Sequence, residues 1–506
     1  MRLLSGTGGL GRRLGLALLL GLLALPVAAQ TAGPISIQSL FLNQSGNAHH
    51  GNYLEADAGL LYNDNVYLTP GGSGDGIALI GLVGNTERIN APRFDYHLDS
   101  DLVVAKYFKS EFQTQPYGYL DAFGEFKIDP GTLSWTGRES YSQVLINPTT
   151  PGTPNNLESI NYLTTGPKLT LTPTLRTTIV LDGSYSIVDS NSNSPDYVNI
   201  NNHRWGADLR IDRAFTNTFS AYLTGSYSKV QFSDTTENTD FDLWQGLAGF
   251  RWVNARTVLD IAGGYNKAHL EGAPANPYPV PHGALLDPTP ILDAVIAPAA
   301  AATSSNTQNP GGSTWQASLS RLISPNDRVS IHALKTVTDS ANLFRLNLDQ
   351  PVPGNGQTQL ATSSPLTHKE YGGTWTYDTG RTAFTLNALY YSDHYSQTPG
   401  SDHDSRQLNA LVARQLNLAL NWEIGLLYQH DNFITVTQHT WSGITSLRWR
   451  LGPKIGLRFF YAYTSLSPNG YTNNQIGVIA SYALSTAAKT ADAIMQPTAP
   501  TSQPYY

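Results

Sequence analysis

Apolar and polar side chains alternate with a period of two along most of this chain. In "NLALNWEIGLLYQHDN", residues 417 to 432, Leu420, Trp422, Ile424, Leu426 and Tyr428 take every second place, with Asn421, Glu423, Gly425 and Gln429 between them. Successive side chains of a strand point to opposite sides, so such a stretch divides an apolar environment from a hydrated one. The pattern recurs. "FSAYLTGSYSK" sets Phe219, Ala221, Leu223, Gly225 and Tyr227 against a hydroxyl-rich face, and "HRWGADLRID" sets Trp205, Ala207, Leu209 and Ile211 against Arg204, Asp208, Arg210 and Asp212. "KIGLRFFYAYT" and "TWSGITSLRWR" repeat it towards the C-terminus, with Trp441, Leu447 and Trp449 sharing one phase.

Short breaks near 172, 214, 253, 324, 378 and 451 alternate with longer polar stretches at 145–158, 189–198, 231–240, 270–312, 339–365, 394–404 and 465–472. That rhythm predicts an up-and-down antiparallel sheet whose two rims face different compartments. Tyr227, Trp252, Tyr265, Tyr428, Trp449 and Tyr463 fall near strand ends, where interfacial aromatic girdles belong. In lipid no water satisfies an unpaired amide, so a spanning sheet must close on itself. The prediction is an all-β, transmembrane antiparallel up-and-down β-barrel of about 20 strands, within a range of about 16–20, with both termini periplasmic. Region 77 to 145 fits least well, because "GIALIGLVGNTERI" alternates poorly. The competing reading is a soluble secreted β-rich binding protein. A solenoid of that kind would show a fixed short repeat, and none is present.

The first 29 residues, with Arg2, Arg12 and Arg13 ahead of the apolar run Leu14 to Leu25 and a small-residue site at Val27, Ala28 and Ala29, read as a secretory signal peptide cleaved after Ala29. Residues 30–52 are then a short periplasmic segment, 53–484 the barrel, and 485–506 a disordered periplasmic tail. Within the barrel, 271–312 is a Pro/Ala-rich loop with a helical stretch from Pro290 to Ala302, which can fold into the lumen or stand outside. The last strand is expected at 474–484.

Composition narrows the chemistry. Of 506 residues 14% are charged, and losing the signal's three arginines leaves a net charge of about −10, which gives nucleic acid no basic face to bind. Zero cysteines exclude disulfides, thiolate metal sites and a Cys nucleophile. The 12 histidines are scattered, and no HExxH or GxSxG occurs. "SDHDS" (Asp402, His403, Asp404) is the one compact His and carboxylate cluster, but three adjacent side chains cannot converge on one ion without a supporting shell. "GGSGDG" (71–76) lacks the Lys and helix of a phosphate loop and reads as an outer loop. No catalytic residue, metal site or cofactor is expected, and the chain is not expected to be an enzyme.

"GLLYNDNVYL", residues 59 to 68, resembles the start of the β-barrel porin type 2 family of outer-membrane proteins, which takes in barrels found with exopolysaccharide and exosortase loci. The match lies on Gly59, Tyr62, Asp64, Asn65 and Val66. The resemblance implies a Gram-negative outer-membrane barrel serving transport, polysaccharide export or surface assembly, and supplies no functional residue.

Function is then expected in the lumen. By phase Arg204, Arg210, Arg251, Arg448, Arg450 and Arg458 point inward with Asp208, Asp212, Asp260 and Glu423. Pairing among them across the wall is as consistent with the pattern as contact with a solute. The expected function is a channel-like outer-membrane barrel, either a passive porin or a component of surface polysaccharide export, with a non-conducting adhesion scaffold as the alternative. The expected partners are outer-membrane lipids and lipopolysaccharide, the barrel-assembly machinery, and polysaccharide or small solutes.

Overall fold

In the computed structural model, residues 53–484 are described apart from 272–309, 349–361 and the loop positions 89–90, 148–149, 151, 193–196, 198, 236–237, 435 and 469. The signal peptide, the segment 30–52, the tail 485–506 and nearly all of the loop 271–312, with its expected helix, lie outside the described residues.

Twenty strands follow one another. They begin with β1 (Tyr53–Asn63), β2 (Asp75–Arg88), β3 (Phe94–Tyr107), β4 (Gln115–Asp129) and β5 (Leu133–Leu145). Next come β6 (Leu157–Thr174), β7 (Thr177–Asn191), β8 (Asn202–Ala214), β9 (Phe219–Phe232) and β10 (Phe241–Val253). Then follow β11 (Thr257–Leu270), β12 (Gly311–Ser324), β13 (Asp327–Thr338), β14 (Leu366–Asp378) and β15 (Thr382–Tyr395). The last are β16 (His403–Asn417), β17 (Leu420–Phe433), β18 (Thr437–Arg450), β19 (Ile455–Ser467) and β20 (Tyr471–Ala483). Each pairs antiparallel with the next, and β1 pairs with β20 from Glu55↔Ala483 to Asn63↔Gln475. The protein is a closed 20-stranded antiparallel barrel.

Connections after even-numbered strands are two to five residues long, and most of those after odd-numbered strands are longer. Two depart from the expected rhythm. Only three residues separate β17 from β18 and β19 from β20 on the long-loop rim, so the expected long stretch 465–472 is corrected. There β19 runs on to Ser467, and Gly470, at φ 66°, supplies the left-handed turn that lets β20 start at Tyr471.

The outer face is apolar. Ile80 is 69% exposed and Leu426 58%, and Leu60, Leu223, Leu209 and Ile476 are exposed with them at mid-strand. Tyr–Trp pairs sit beneath the long-loop rim, with ring centroids 4.5 Å apart for Tyr185 and Trp205, 4.3 Å for Tyr227 and Trp244, and 4.5 Å for Tyr428 and Trp441. A second belt lies near the short-turn rim, where Phe219 meets Phe215 at 5.8 Å and Phe250 at 6.0 Å, and Trp375 meets Phe384 at 5.0 Å. On β18 the belts are marked by Trp441 and Trp449; at about 3.3 Å per residue and a tilt of roughly 40° these lie about 20 Å apart along the barrel axis. No helix among the described residues is long and apolar enough to cross a membrane, and the strands present the apolar band instead. A water-soluble β protein would have no use for such a band, which excludes the soluble reading on physical grounds.

β2 shows why its stretch alternated poorly. Its inward side chains Ile77, Leu79 and Val83 are at most 1% exposed and pack with Leu61, Val66, Val103 and Tyr117, so both faces of the strand are apolar for different reasons. One faces outward from the barrel, the other a dry cluster inside it.

The residues carrying the family resemblance lie at the seam where β1 meets β20. Gly59 allows close approach, since a Cβ there would stand 2.9 Å from the Val478 carbonyl oxygen. Asp64 accepts from the Asn474 amide at 2.7 Å and from Asn474 Nδ2 at 2.6 Å, while Asn65 Nδ2 donates to the Thr472 carbonyl at 3.0 Å. Val66 is buried in the inner cluster and Tyr62 faces outward. Hydrogen bonds to a charged acceptor contribute about 1.5–3 kcal/mol each. Asp64→Ala is therefore expected to lower the temperature at which the folded, fast-migrating form is lost in semi-native electrophoresis. An unchanged temperature would mean that strand pairing alone holds the seam.

Candidate functional site

The site is the lumen, and its long-loop end is crossed by a segment that the alternation pattern does not contain. After β13 the chain forms a helix, α1 (Ser340–Leu348). Asp339 starts it: Oδ1 accepts from the amides of Ala341 at 3.1 Å and Asn342 at 3.3 Å, the arrangement of an N-cap carboxylate. The same carboxylate accepts both guanidinium nitrogens of Arg204, Nη2 to Oδ1 at 2.8 Å and Nη1 to Oδ2 at 3.0 Å. Arg204 is held in turn by Asn202 Oδ1 at 2.7 Å and lies over the Tyr162 ring at 5.4 Å. The Tyr162 hydroxyl donates to Asn342 Oδ1 at 3.3 Å. Four strands, β9 to β12, lie between β8 and β13 around the wall, so these groups meet only across the inside.

Apolar packing completes the strap. Ala341 and Phe344 join Val144, Ile160, Val188, Val230 and Phe241 from the upper ends of β5 to β10, and Leu343 packs on Leu366 and Tyr395. Below the strap, Asn266 Nδ2 donates to Thr336 Oγ1 at 3.0 Å and to the Val337 carbonyl at 3.2 Å, and ties β11 to β13. The side chains of Arg204 and Asp339 are only 4% and 3% exposed. The stretch 339–365, expected as one polar outer connection, is thus corrected in its first ten residues.

The charged residues expected to face inward fall into distinct settings. Arg204 holds the strap. Arg210 is bound to Asp212 at 2.6 and 2.7 Å and lies over the Tyr222 ring at 4.2 Å. The Tyr222 hydroxyl donates to Asp260 Oδ1 at 2.5 Å and accepts from Gln316 at 3.3 Å. Arg251 stands opposite Asp260 in register. Asp208 is exposed and opposite Asp182. Glu423 accepts from Ser446 at 3.0 Å and lies 3.7 Å from Arg458. Arg448 is directly opposite Arg458, with Arg450 one inward place further down β18.

Fold topology then gathers like charges into patches that the sequence order conceals. Asp57 on β1, Asp99 and Asp101 on β3 and Asp121 on β4 form an acidic wall, and Arg448, Arg450 and Arg458 on β18 and β19 a basic one. Neither oxygen of buried Asp101 is hydrogen-bonded among the described residues. The two patches adjoin, because only β20 lies between β1 and β19 in the closed sheet.

A second group was missed in the sequence. Inward-facing His332, His368, Glu370, Asp393 and His403 link in a line over β13 to β16. His332 Nε2 lies 2.7 Å from Glu370 Oε1, His368 Nε2 3.4 Å from Glu370 Oε2, His368 Nδ1 2.5 Å from Asp393 Oδ1, and His403 Nε2 3.7 Å from Asp393 Oδ2. Strand register brings them together, and the only sequence signal was their shared phase. No group of these residue types able to hold a metal ion occurs among the described residues. "SDHDS" diverges in space: Asp402 pairs with His394, His403 turns inward, and Asp404 turns outward to accept from the Tyr390 hydroxyl at 3.4 Å.

Fold and lumen define the class, a β-barrel of outer-membrane type with a partly filled bore. No family model and no curated protein matches the sequence. Solved structures with similar architecture include OccAB4 of Acinetobacter baumannii, at 10% identity over 86% of this chain and 99% of that one, with a TM-score of 0.35. The FrpB iron transporter from Neisseria meningitidis matches at 7% identity over 85% and 82%, with a TM-score of 0.41. The copper transporter OprC matches at 8% over 86% and 80%, with a TM-score of 0.43. Similarity this low transfers no solute, partner or site residue.

Proposed function

We propose that the protein is a passive channel of the Gram-negative outer membrane, with its long-loop rim outward, its short-turn rim periplasmic, and its bore narrowed near the outer mouth by α1. The observation that carries this reading is the Arg204–Asp339 pair, which fixes a helix inside the barrel instead of over it. Towards the short-turn rim the inner wall stays polar and accessible, with exposed Asp208 and half-buried Lys168, Asp182 and Arg251. A scaffold barrel would gain nothing from charged, hydrated walls beneath a fixed constriction. Adjoining acidic and basic walls favour small polar or zwitterionic solutes that orient as they pass. The first-strand resemblance supports a place in surface polysaccharide export, and the narrowed mouth favours small solutes over an extended polymer chain.

Planar-bilayer recording tests this. The purified barrel is expected to give discrete ohmic steps, smaller than those of an unobstructed barrel of equal strand number. Complete absence of steps from protein shown to be inserted and folded would establish the scaffold reading instead.

A further inference from the structure

On the outer wall, Lys335 of β13 and Lys369 of β14 are direct cross-strand partners. Both point away from the lumen: the flanking Thr336 reaches Asn266 inside the barrel, and the residues flanking Lys369 are the inward His368 and Glu370. Like charges set directly opposite on a sheet destabilise it unless something offsets them. Among the described residues neither ammonium has an acidic partner, and Lys335 donates only to Ser313 Oγ at 3.3 Å. Arg406 of β16 faces the same way, its guanidinium 5.9 Å from the centre of the Tyr390 ring. The acidic neighbour Asp404 is engaged by the Tyr390 hydroxyl. By contrast, Lys229 on β9 is neutralised by Glu271.

A row of rings lies beside the cations, Trp315 opposite Lys335, and Tyr371 and Tyr390 level with Arg406. Trp315 on β12 lies 5.9 Å from Tyr371 on β14, which lies 6.0 Å from Tyr390 on β15. The rings belong to the belt at the long-loop rim, so the cations stand where acyl chains give way to headgroups. Flat rings offer stacking surface to sugar rings and packing surface to acyl chains, and the paired ammonium groups beside them fit the charge of a phosphate monoester.

We infer that the outer wall from β12 to β16 is a binding site for the phosphorylated glucosamine headgroup of lipopolysaccharide, with Lys335 and Lys369 gripping one phosphate and Arg406 supporting it. The inference rests on the proposed orientation of the barrel, with its long-loop rim in the outer leaflet, and is independent of whether the lumen conducts. Native mass spectrometry of the detergent-solubilised barrel, titrated with bis-phosphorylated lipid A, tests it. The protein is expected to retain one lipid A, and Lys335→Gln/Lys369→Gln to weaken binding about tenfold or more. Lys229→Gln should leave binding unchanged. Heat-modifiable migration shows whether the double variant is folded, and Lys369→Gln alone, at an exposed position, serves if it is not. Equal binding by wild type and the Lys369 variants would overturn the site, as would equal retention of dephosphorylated lipid A or a preference for phosphatidylglycerol. Conductance with no lipid A retained would sink the site and leave the channel standing.

Discussion

Arg204→Ala is expected to destabilise the barrel by about 3–5 kcal/mol and to raise its single-channel conductance, because it strands the Asp339 carboxylate in a buried setting and frees the start of α1. The two consequences separate by design. Asp339→Asn keeps an oxygen for the helix N-cap while removing the charge, so it should loosen the strap with little further helix cost; Asp339→Ala should cost about 1 kcal/mol more through the lost cap. Combining Arg204→Ala with Asp339→Ala should recover part of the stability lost by either change, since no buried charge is left unpaired. Denaturant titration in detergent and bilayer recording on the same preparations give both readouts. If conductance stays at the wild-type value in a folded Arg204→Ala protein, α1 is not the constriction.

Leu426→Arg carries the second large effect, on the membrane side of the wall. Leu426 stands at the middle of β17, exposed on the outer face, where a guanidinium would meet hydrocarbon at about 2–4 kcal/mol. Urea-dependent folding into lipid vesicles should show that loss. Arg450→Gln, in the opposite phase and near the short-turn rim, should stay within about 0.5 kcal/mol of wild type. Similar costs for the two changes would contradict the assignment of inner and outer faces, and with it the membrane reading.

Much of this architecture is written locally. The alternation in β8, β9 and β17 to β19 sets which side chains face outward, and the turn rhythm sets strand count to within the uncertainty of two short connections. β2 was legible only in part, because a strand that is apolar on both faces loses its period, whether its inner side meets hydrocarbon or a dry cluster. The strap was not legible. "DSANLFRLNL" does carry an N-cap Asp ahead of an apolar helical stretch, but nothing near it indicates that its partner is Arg204, 135 positions earlier. His332, His368 and His403 are equally remote in sequence and join only because β13 to β16 lie side by side in register.

Two faces, two solvents and the need for closure come from the sequence alone, since a period of two in side-chain character depends only on neighbouring residues and on the energy of leaving an amide unpaired in lipid. The tertiary structure decided what fills the bore and how its charges are arranged. Those depend on the number of strands in the ring and on register across it, which determine that β8 faces the end of β13 and that closure through β20 brings the acidic strands β1 to β4 beside the arginines of β18 and β19. Distances across a closed tube are global quantities, and no local pattern encodes them.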